Sequence, residues 1–450
     1  MSDWAGRRLH FVGIGGAGMS GLALVAHAMG AHVSGSDQAS SPYLERVLEA
    51  GIRAQVGHDA ANLPDGDDVE IVVSTAIGGA NPERTAARER GLREIHRGAL
   101  LGELSRLRRT IAIAGTHGKT STASMATHAL IALGWEPTYV IGGELRPPGE
   151  TGPGTNAAYG AGEWLIVEAD ESDRSFLELE PEIAIVTNIE LDHHTTYASH
   201  VELEQAFGEF LRNALRRVVA DTPEAEGFLD RVGIVEAAFY GASEIELSAA
   251  GSSFTWAGQR VTLAVPGAHN VANAAAALTA CVIAGAPRSH VAGALADFRG
   301  AGRRFDRLGH AASGALIVDD YAHHPTELRA TITAARTLGH ARVVAVFQPH
   351  LFSRTQLLAR EFGAALAQAD AAFVLDVYPS RERAEDFPGV SGLLIAEHAA
   401  DAARGRPVAW ARDFDAAEAL LRAALRPGDL CLVLGAGDVD ALGRRLVADP

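Results

Sequence analysis

Lys119 is the only lysine in a chain of 450 residues; every other basic side chain is arginine or histidine. It stands in Gly115-Thr116-His117-Gly118-Lys119-Thr120-Ser121, after a strand-like run at 110–114 and before a helical pattern at 120–133 that Gly134 stops. Where arginine has replaced lysine everywhere else, the lysine that is left marks a task for a compact ammonium on a flexible stem. Strand, glycine loop, Lys-Thr and helix form a phosphate cradle. Loop N–H groups and the helix start face the anion, Lys119 reaches the outer phosphates, and the Thr120 hydroxyl suits a divalent cation. The full pattern has a glycine five residues before Gly118, and Ile113 occupies that position. The loop is therefore a short Gly-x-x-Gly-Lys-Thr form. A glycine turn with a surface lysine is the competing reading.

Two further strand ends carry acids. The apolar run 164–167 passes into Glu168-Ala169-Asp170-Glu171-Ser172-Asp173, and 183–186 passes into a segment with Asp192, His193 and His194. Parallel strands that start at one edge bring these ends beside the lysine loop, where carboxylates and an imidazole can hold divalent cations. Four acids closing a buried strand would otherwise repel one another; an acidic surface loop is the alternative. For the two histidines only the first is expected to take part.

A second glycine loop, Gly13-Ile14-Gly15-Gly16-Ala17-Gly18, follows the run 8–14, and Asp37 closes the next strand at 31–36. This is the dinucleotide fingerprint of a Rossmann-type sheet. Its physics specifies a diphosphate at a helix start, which a UDP-sugar also carries. An NAD-dependent oxidoreductase is thus one reading of this loop. Ser74 and Thr75 lie at the end of the strand at 69–74, on the edge where such sheets take ligands; turn or helix capping is equally open to them.

Further on, Pro266-Gly267-Ala268-His269-Asn270 opens an alanine-rich helix. Asn270 and Asn273 fall one turn apart on one face, so that both amides can meet one flat heterocycle, or the first simply caps the helix. Beyond 300, strand patterns at 315–319, 343–347, 372–377, 407–410 and 430–434 alternate with helices, as in a doubly wound α/β unit. Their ends carry Asp320, His323, His324 and His350, with Arg354 close behind. His323-His324 lacks the spacing of a helical zinc pair. Pro325 suits the first turn of a helix.

The elements that position these groups read as three α/β domains: a Rossmann-like domain at 1–105, a central parallel-sheet domain with the P-loop at 106–299, and a C-terminal Rossmann-like doubly wound domain at 300–450. Net charge is −17 and apolar content is 47%. The first argues against a nucleic-acid partner. No run is long and apolar enough to span a membrane. Arg7-Arg8 and the apolar run behind them imitate an export signal, but its removal would delete the first strand and glycine loop. Cys281 and Cys431, both inside apolar runs, read as buried thiols of a reducing compartment. A cytoplasmic protein is expected.

Taken together the motifs resemble the Mur ligase family. The resemblance runs from about His10 to Asp438. It rests on residues 10–20, the short loop, 168–176 (EADESDRSF), 188–197 (NIELDHHTTY), 319–327 (DDYAHHPTE) and 347–355 (FQPHLFSRT). It implies an ATP- and Mg²⁺-dependent amide ligase of peptidoglycan precursor synthesis, most like the member that joins L-alanine to UDP-N-acetylmuramate through an acyl phosphate. The nearest rival inside the family attaches a recycled murein tripeptide to the same UDP-sugar. A nucleotide-gated sensor without amide chemistry is a third reading. By resemblance, Gly15, Gly16, Ala17 and Gly18 take the diphosphate, with Ser74, Thr75 and Ala76 nearby and Asp37 and His58 as further candidates. Gly115 to Ser121 hold ATP, and Thr120, Glu168 and His193 hold the metal. His269, Asn270 and Asn273 sit near adenine. Arg304, Asp320, His323 and His324 close over the nucleotide, and His350 and Arg354 face substrate or transferred phosphate. Monomer and homodimer stay open. Two departures stand out. Leu351 occupies a position that is basic in many relatives. No second lysine exists for the carbamylated metal bridge of several sister ligases.

Overall fold

The computed structural model describes residues 4–149, 154–193 and 196–448; His194 and Thr195 of the second acidic segment lie outside them. The chain divides into two compact units, Met1–Ala242 with Ala272–Leu295, and Ser243–Val271 with Ala296–Pro450.

The first unit holds two sheets. One is five parallel strands in the order Arg53–Val56, His32–Asp37, Arg8–Val12, Val69–Val73, Arg93–His96. Its two central strands are buried nearly throughout, so they appear in sequence as mostly apolar runs, interrupted by His10 and Glu70. The outer strands Arg53–Val56 and Arg93–His96 are mostly exposed and polar, and periodicity does not announce them. The other sheet has seven strands in the order Ala238–Tyr240, Arg216–Ala220, Ile183–Val186, Arg109–Ala114, Trp164–Glu168, Thr138–Leu145, Thr155–Ala158. All are parallel except the last. Val186 lies opposite Ala114 and Glu168 opposite Ile113, so the three central strands end at one edge.

Helix Ala17–Ala28 joins the two sheets. Its Gly21 lies so close to Val140, Ala157 and Asn156 that a Cβ there would sit 3.1–3.2 Å from each. The Asn156 amide donates to the Ala17 carbonyl at 2.6 Å, and Arg46 pairs with Glu144 at 2.7 Å. One apolar core, with Leu22, Ala26, Val140 and Ala157 among its members, runs through this junction. The helix that opens at the first glycine loop is thus fixed to the P-loop sheet.

In the second unit, Ser243–Ser248, Gly251–Trp256 and Gln259–Leu263 form a small antiparallel sheet. The last two strands meet in a turn at Ala257-Gly258, with both residues at positive φ. A six-stranded sheet follows in the order Asp306–His310, Leu316–Asp320, Asp429–Leu434, Arg342–Phe347, Ala371–Leu375, Val408–Ala411; only its first strand runs antiparallel. Separate apolar clusters cover its two faces, as a doubly wound sheet requires. The hairpin sheet groups with the C-terminal residues, whereas the sequence boundary at 299/300 places it with the P-loop. Helix Ala268–Ile283 begins in one unit and continues into the other.

Candidate active site

The P-loop is built from its neighbours upward. Gly115 and Gly118 adopt φ of 132° and 83°, which a side chain rarely adopts. The Asn188 side chain accepts from the His117 amide at 2.9 Å and donates to the His117 carbonyl at 2.9 Å, while the Thr116 amide donates to the Asn188 carbonyl at 3.1 Å. The Thr116 hydroxyl and Glu190 backbone exchange bonds at 2.8–2.9 Å, and His117 Nε2 lies 3.0 Å from Glu190. These bonds fix the loop to the end of strand Ile183–Val186. They also correct one expectation: the Thr116 and His117 amides face Asn188, so an anion is left to the helix start. There, helix Lys119–Ala132 has Gly118 as N-cap and no side-chain cap. Its first N–H groups have no partner within the helix and point at one place. Helix Ala17–Ala28 likewise starts after an uncapping glycine, Gly16. Five other helices of this unit are capped by the Ser41, Asn81, His96, Ser199 and Thr222 side chains.

Lys119 bends over its own loop. Its Nζ donates to the Gly115 carbonyl at 2.6 Å and to both Glu171 oxygens at 2.8 and 3.0 Å. Burial disfavours the ammonium, but Glu171, Asp170 and Glu168 together raise its pKa above the ordinary lysine value. Thr120 Oγ1 donates to Glu168 at 3.1 Å, and the other Glu168 oxygen accepts from the Gly142 amide. His193 Nε2 lies 3.5 Å from Glu171 and 3.8 Å from Asp192. Burial raises Asp170, yet Arg97 and Lys119 hold its carboxyl well below the usual carboxylate range. A hydroxyl and several carboxylates gathered beside an uncapped helix start are the hard oxygen donors that Mg²⁺ accompanying a polyphosphate takes, so the residues fit both groups. Glu171 and Asn188 were not singled out in the sequence. Each lies inside an acidic or polar strand end, and only the register shows which member turns to the loop.

The first glycine loop is braced from beneath. Asp37 Oδ2 accepts from the Gly15 amide at 2.8 Å, so this carboxylate shapes the loop. The Ser36 carbonyl takes the Gly13 and Ile14 amides at 2.8 and 2.9 Å. His58 lies against the Ser36 hydroxyl at 2.9 Å, within a network around buried Glu83. Ser74 receives the Ile77 amide on its carbonyl, and exposed Thr75 and Ala76 follow in the same turn. Asn273 packs on Gly118, where a Cβ would come within 2.4 Å of its amide oxygen. Asn270 donates its side-chain amide to the Pro266 carbonyl at 2.8 Å, one turn back along the chain.

In the second unit, burial holds the His269 imidazole down to about 4. Asp320 is clamped by the Phe305 and Ala322 amides at 2.9 Å each. His324 caps helix Pro325–Arg336 in a capping box with Glu327, and Pro325 takes the first turn as expected. His323 Nδ1 lies 3.2 Å from Glu327, and Arg304 stacks on Tyr321. The His350 ring stacks on Tyr378 at 5.8 Å between centroids, and buried Arg354 approaches its Nδ1 at 3.5 Å. Leu351, at φ 72°, precedes helix Phe352–Leu366 without a side-chain cap. It is buried, so no charge replaces the expected basic group at this position.

Family models match in chain order: the Mur ligase catalytic domain at residues 8–109, the Mur ligase middle domain at 113–281, and the Mur ligase glutamate ligase domain at 303–437. The chain belongs to the Mur ligase family. Among curated relatives, the UDP-N-acetylmuramate–L-alanine ligase of Streptomyces griseus is 43% identical over 98% of this chain and 96% of its own. The ligase of the same name from Kineococcus radiotolerans is 46% identical over 97% and 94%. The crystal structure of UDP-N-acetylmuramate-alanine ligase from Thermotoga maritima superposes with a TM-score of 0.83 at 29% identity, covering 98% of both chains. A murein peptide ligase from Psychrobacter arcticus, at 23% identity and a TM-score of 0.72, shares the fold. Mur ligase membership accounts for the P-loop and everything beyond it, which the oxidoreductase reading of residues 13–37 leaves unexplained.

Proposed function

We propose that this chain is the ATP-dependent ligase that joins L-alanine to the carboxylate of UDP-N-acetylmuramate in peptidoglycan precursor synthesis. The observation that carries the reading is full-length similarity, at 43–46% identity, to relatives bearing that name. A carboxylate does not condense with an amine in neutral water. Transfer of the ATP γ-phosphoryl group to it gives an acyl phosphate, whose phosphate leaves when the alanine amine attacks the carbonyl.

The residues divide this work. The open start of helix Lys119–Ala132 and the Lys119 ammonium bind and orient the phosphates. To do so Lys119 leaves Glu171, a short swing for a side chain already over the loop. Thr120, Glu168 and His193 hold Mg²⁺, which neutralises phosphate charge when bound. The loop from Gly15 to Gly18, braced by Asp37, receives the UDP diphosphate, and Asn273 borders the P-loop on the adenine side. In the second unit we assign Arg304, His323, His350 and Arg354 to the amino acid and the transferred phosphate. The domain boundaries are placed at 105/106 and 299/300. Both cysteines are free and buried, with burial pushing their thiols up to about 12, which suits a reducing cytoplasm. Among the described residues no helix is long and apolar enough to cross a membrane.

The test is ADP release in the presence of UDP-N-acetylmuramate, with L-alanine, glycine, L-serine or a murein tripeptide added separately and products weighed by mass spectrometry. Release that needs L-alanine and yields the monopeptide is expected. Release driven only by tripeptide moves the chain to the recycling ligases, and no release with any amine refutes the ligase reading.

A further inference from the structure

Arg97 is absent from every motif above, yet its guanidinium lies between the first glycine loop and the acids that follow strand Trp164–Glu168. It follows strand Arg93–His96 directly, at the carboxyl edge of the first sheet, and opens helix Arg97–Leu107. One end of its guanidinium is fixed by acids from the P-loop sheet. Nη2 donates to Asp170 at 2.6 Å and to Asp173 at 3.3 Å. Those acids are themselves held: Asp170 accepts the Ser172 amide at 3.0 Å, and Asp173 accepts the Ser175 amide at 3.0 Å and the Thr75 hydroxyl at 3.4 Å. The other end faces the first glycine loop. A Cβ at Gly18 would sit 3.3 Å from Nη1. Among the described residues no acceptor meets Nη1 or Nε. The side chain is 21% exposed. A planar cation held at Nη2, with Nη1 turned to a glycine loop at a helix start, is built to grip an anion there.

We infer that Arg97 is the cationic ligand of the UDP-sugar diphosphate, aimed by Asp170 and Asp173. This rests on the reading of the glycine loop given above and adds the residue that supplies its positive charge. The loop itself contributes only backbone dipoles, and the chain is acidic overall. Asp170 also attracts Lys119. Lys119 is itself held by Glu171 and the Gly115 carbonyl, so Asp170 orients Arg97 alone, and the two cations can be perturbed separately.

Calorimetry on the full chain measures the Kd of UDP, of UDP-N-acetylmuramate and of MgATP. Arg97→Gln is expected to weaken UDP and UDP-sugar alike by about 10- to 100-fold while MgATP stays within about twofold. Arg97→Lys, which keeps a cation at the helix start, should fold normally and recover part of the loss. Asp170→Asn, which loosens the hold on Arg97, should weaken UDP more than MgATP. Unchanged UDP binding in Arg97→Gln overturns the inference. Equal loss of UDP and MgATP with a lowered Tm overturns it in favour of a structural strut. A loss confined to UDP-N-acetylmuramate, with UDP unaffected, overturns the diphosphate assignment and points to the sugar carboxylate. Wild-type protein that binds neither UDP nor the UDP-sugar refutes the glycine-loop reading as well.

Discussion

Glu83 is a carboxylate at the first turn of a helix, 0% exposed, beneath the first glycine loop. Its oxygens accept from Ser36 at 2.8 Å, Asn62 at 3.0 Å and the Asp59 amide at 3.2 Å, with His10 at 2.9 Å and His58 at 3.3 Å. Burial pushes this carboxyl up, but the bonds from His10, Asn62 and Ser36 outweigh it and hold the pKa at about 2 against an ordinary 4.5. That difference corresponds to about 3 kcal/mol of stability. The sign follows from a depressed folded value: the contribution is complete above pH 4.5 and disappears as pH falls from there through 2. Glu83→Gln keeps the shape but removes the charge and turns an amide N–H₂ toward groups that already donate. It should cost the first unit about 3 kcal/mol at pH 7, more than most surface changes. It should also weaken UDP-sugar binding, because Ser36 carries the Gly13 and Ile14 amides on its carbonyl. Urea unfolding of wild type and variant between pH 7 and 3, followed by a probe in the first unit, reads both effects. The gap between the two should narrow as pH falls below 4.5. A gap that is constant with pH, or a variant as stable as wild type at pH 7, refutes the reasoning.

Lys119→Arg should lose nearly all turnover while UDP-sugar binding survives, because a planar fork cannot bend back over the loop as the ammonium does; near-normal turnover removes Lys119 from phosphate binding. Glu168→Gln should demand far more Mg²⁺, read from ADP release titrated with the metal, and an unshifted titration takes Glu168 out of the metal site. Gly118→Ala should abolish nucleotide binding and destabilise the first unit, since a left-handed φ costs an L-residue roughly 1–2 kcal/mol and the new Cβ meets Asn273 at 2.4 Å. Calorimetry with MgATP and a thermal melt check it, and wild-type binding would show that Asn273 yields freely.

The sequence by itself determined the chemistry and the central strands. A lone lysine in a glycine loop, acids closing apolar runs, and a second glycine loop are local signals. Local signals follow from what a turn, a buried strand and a helix start require of single residues. The runs at 110–114, 183–186 and 430–434 are apolar because both faces of those strands are covered, so they read plainly. The polar edge strands Arg53–Val56 and Arg93–His96 did not, because exposed strands carry no pattern that separates them from loops. Tertiary structure alone decided which members of each polar cluster meet. Sheet register turns Glu171 to Lys119 and Asn188 to the P-loop, while Asp37 shapes its own loop. Packing of helix Ala17–Ala28 against Val140 and Ala157 fixes the first glycine loop beside the P-loop sheet. Arg97 and Asp170 are separated by 73 positions in sequence and by 2.6 Å in space. The spacing of residues along a chain records what each local element needs; only strand order and register decide which distant charges become neighbours.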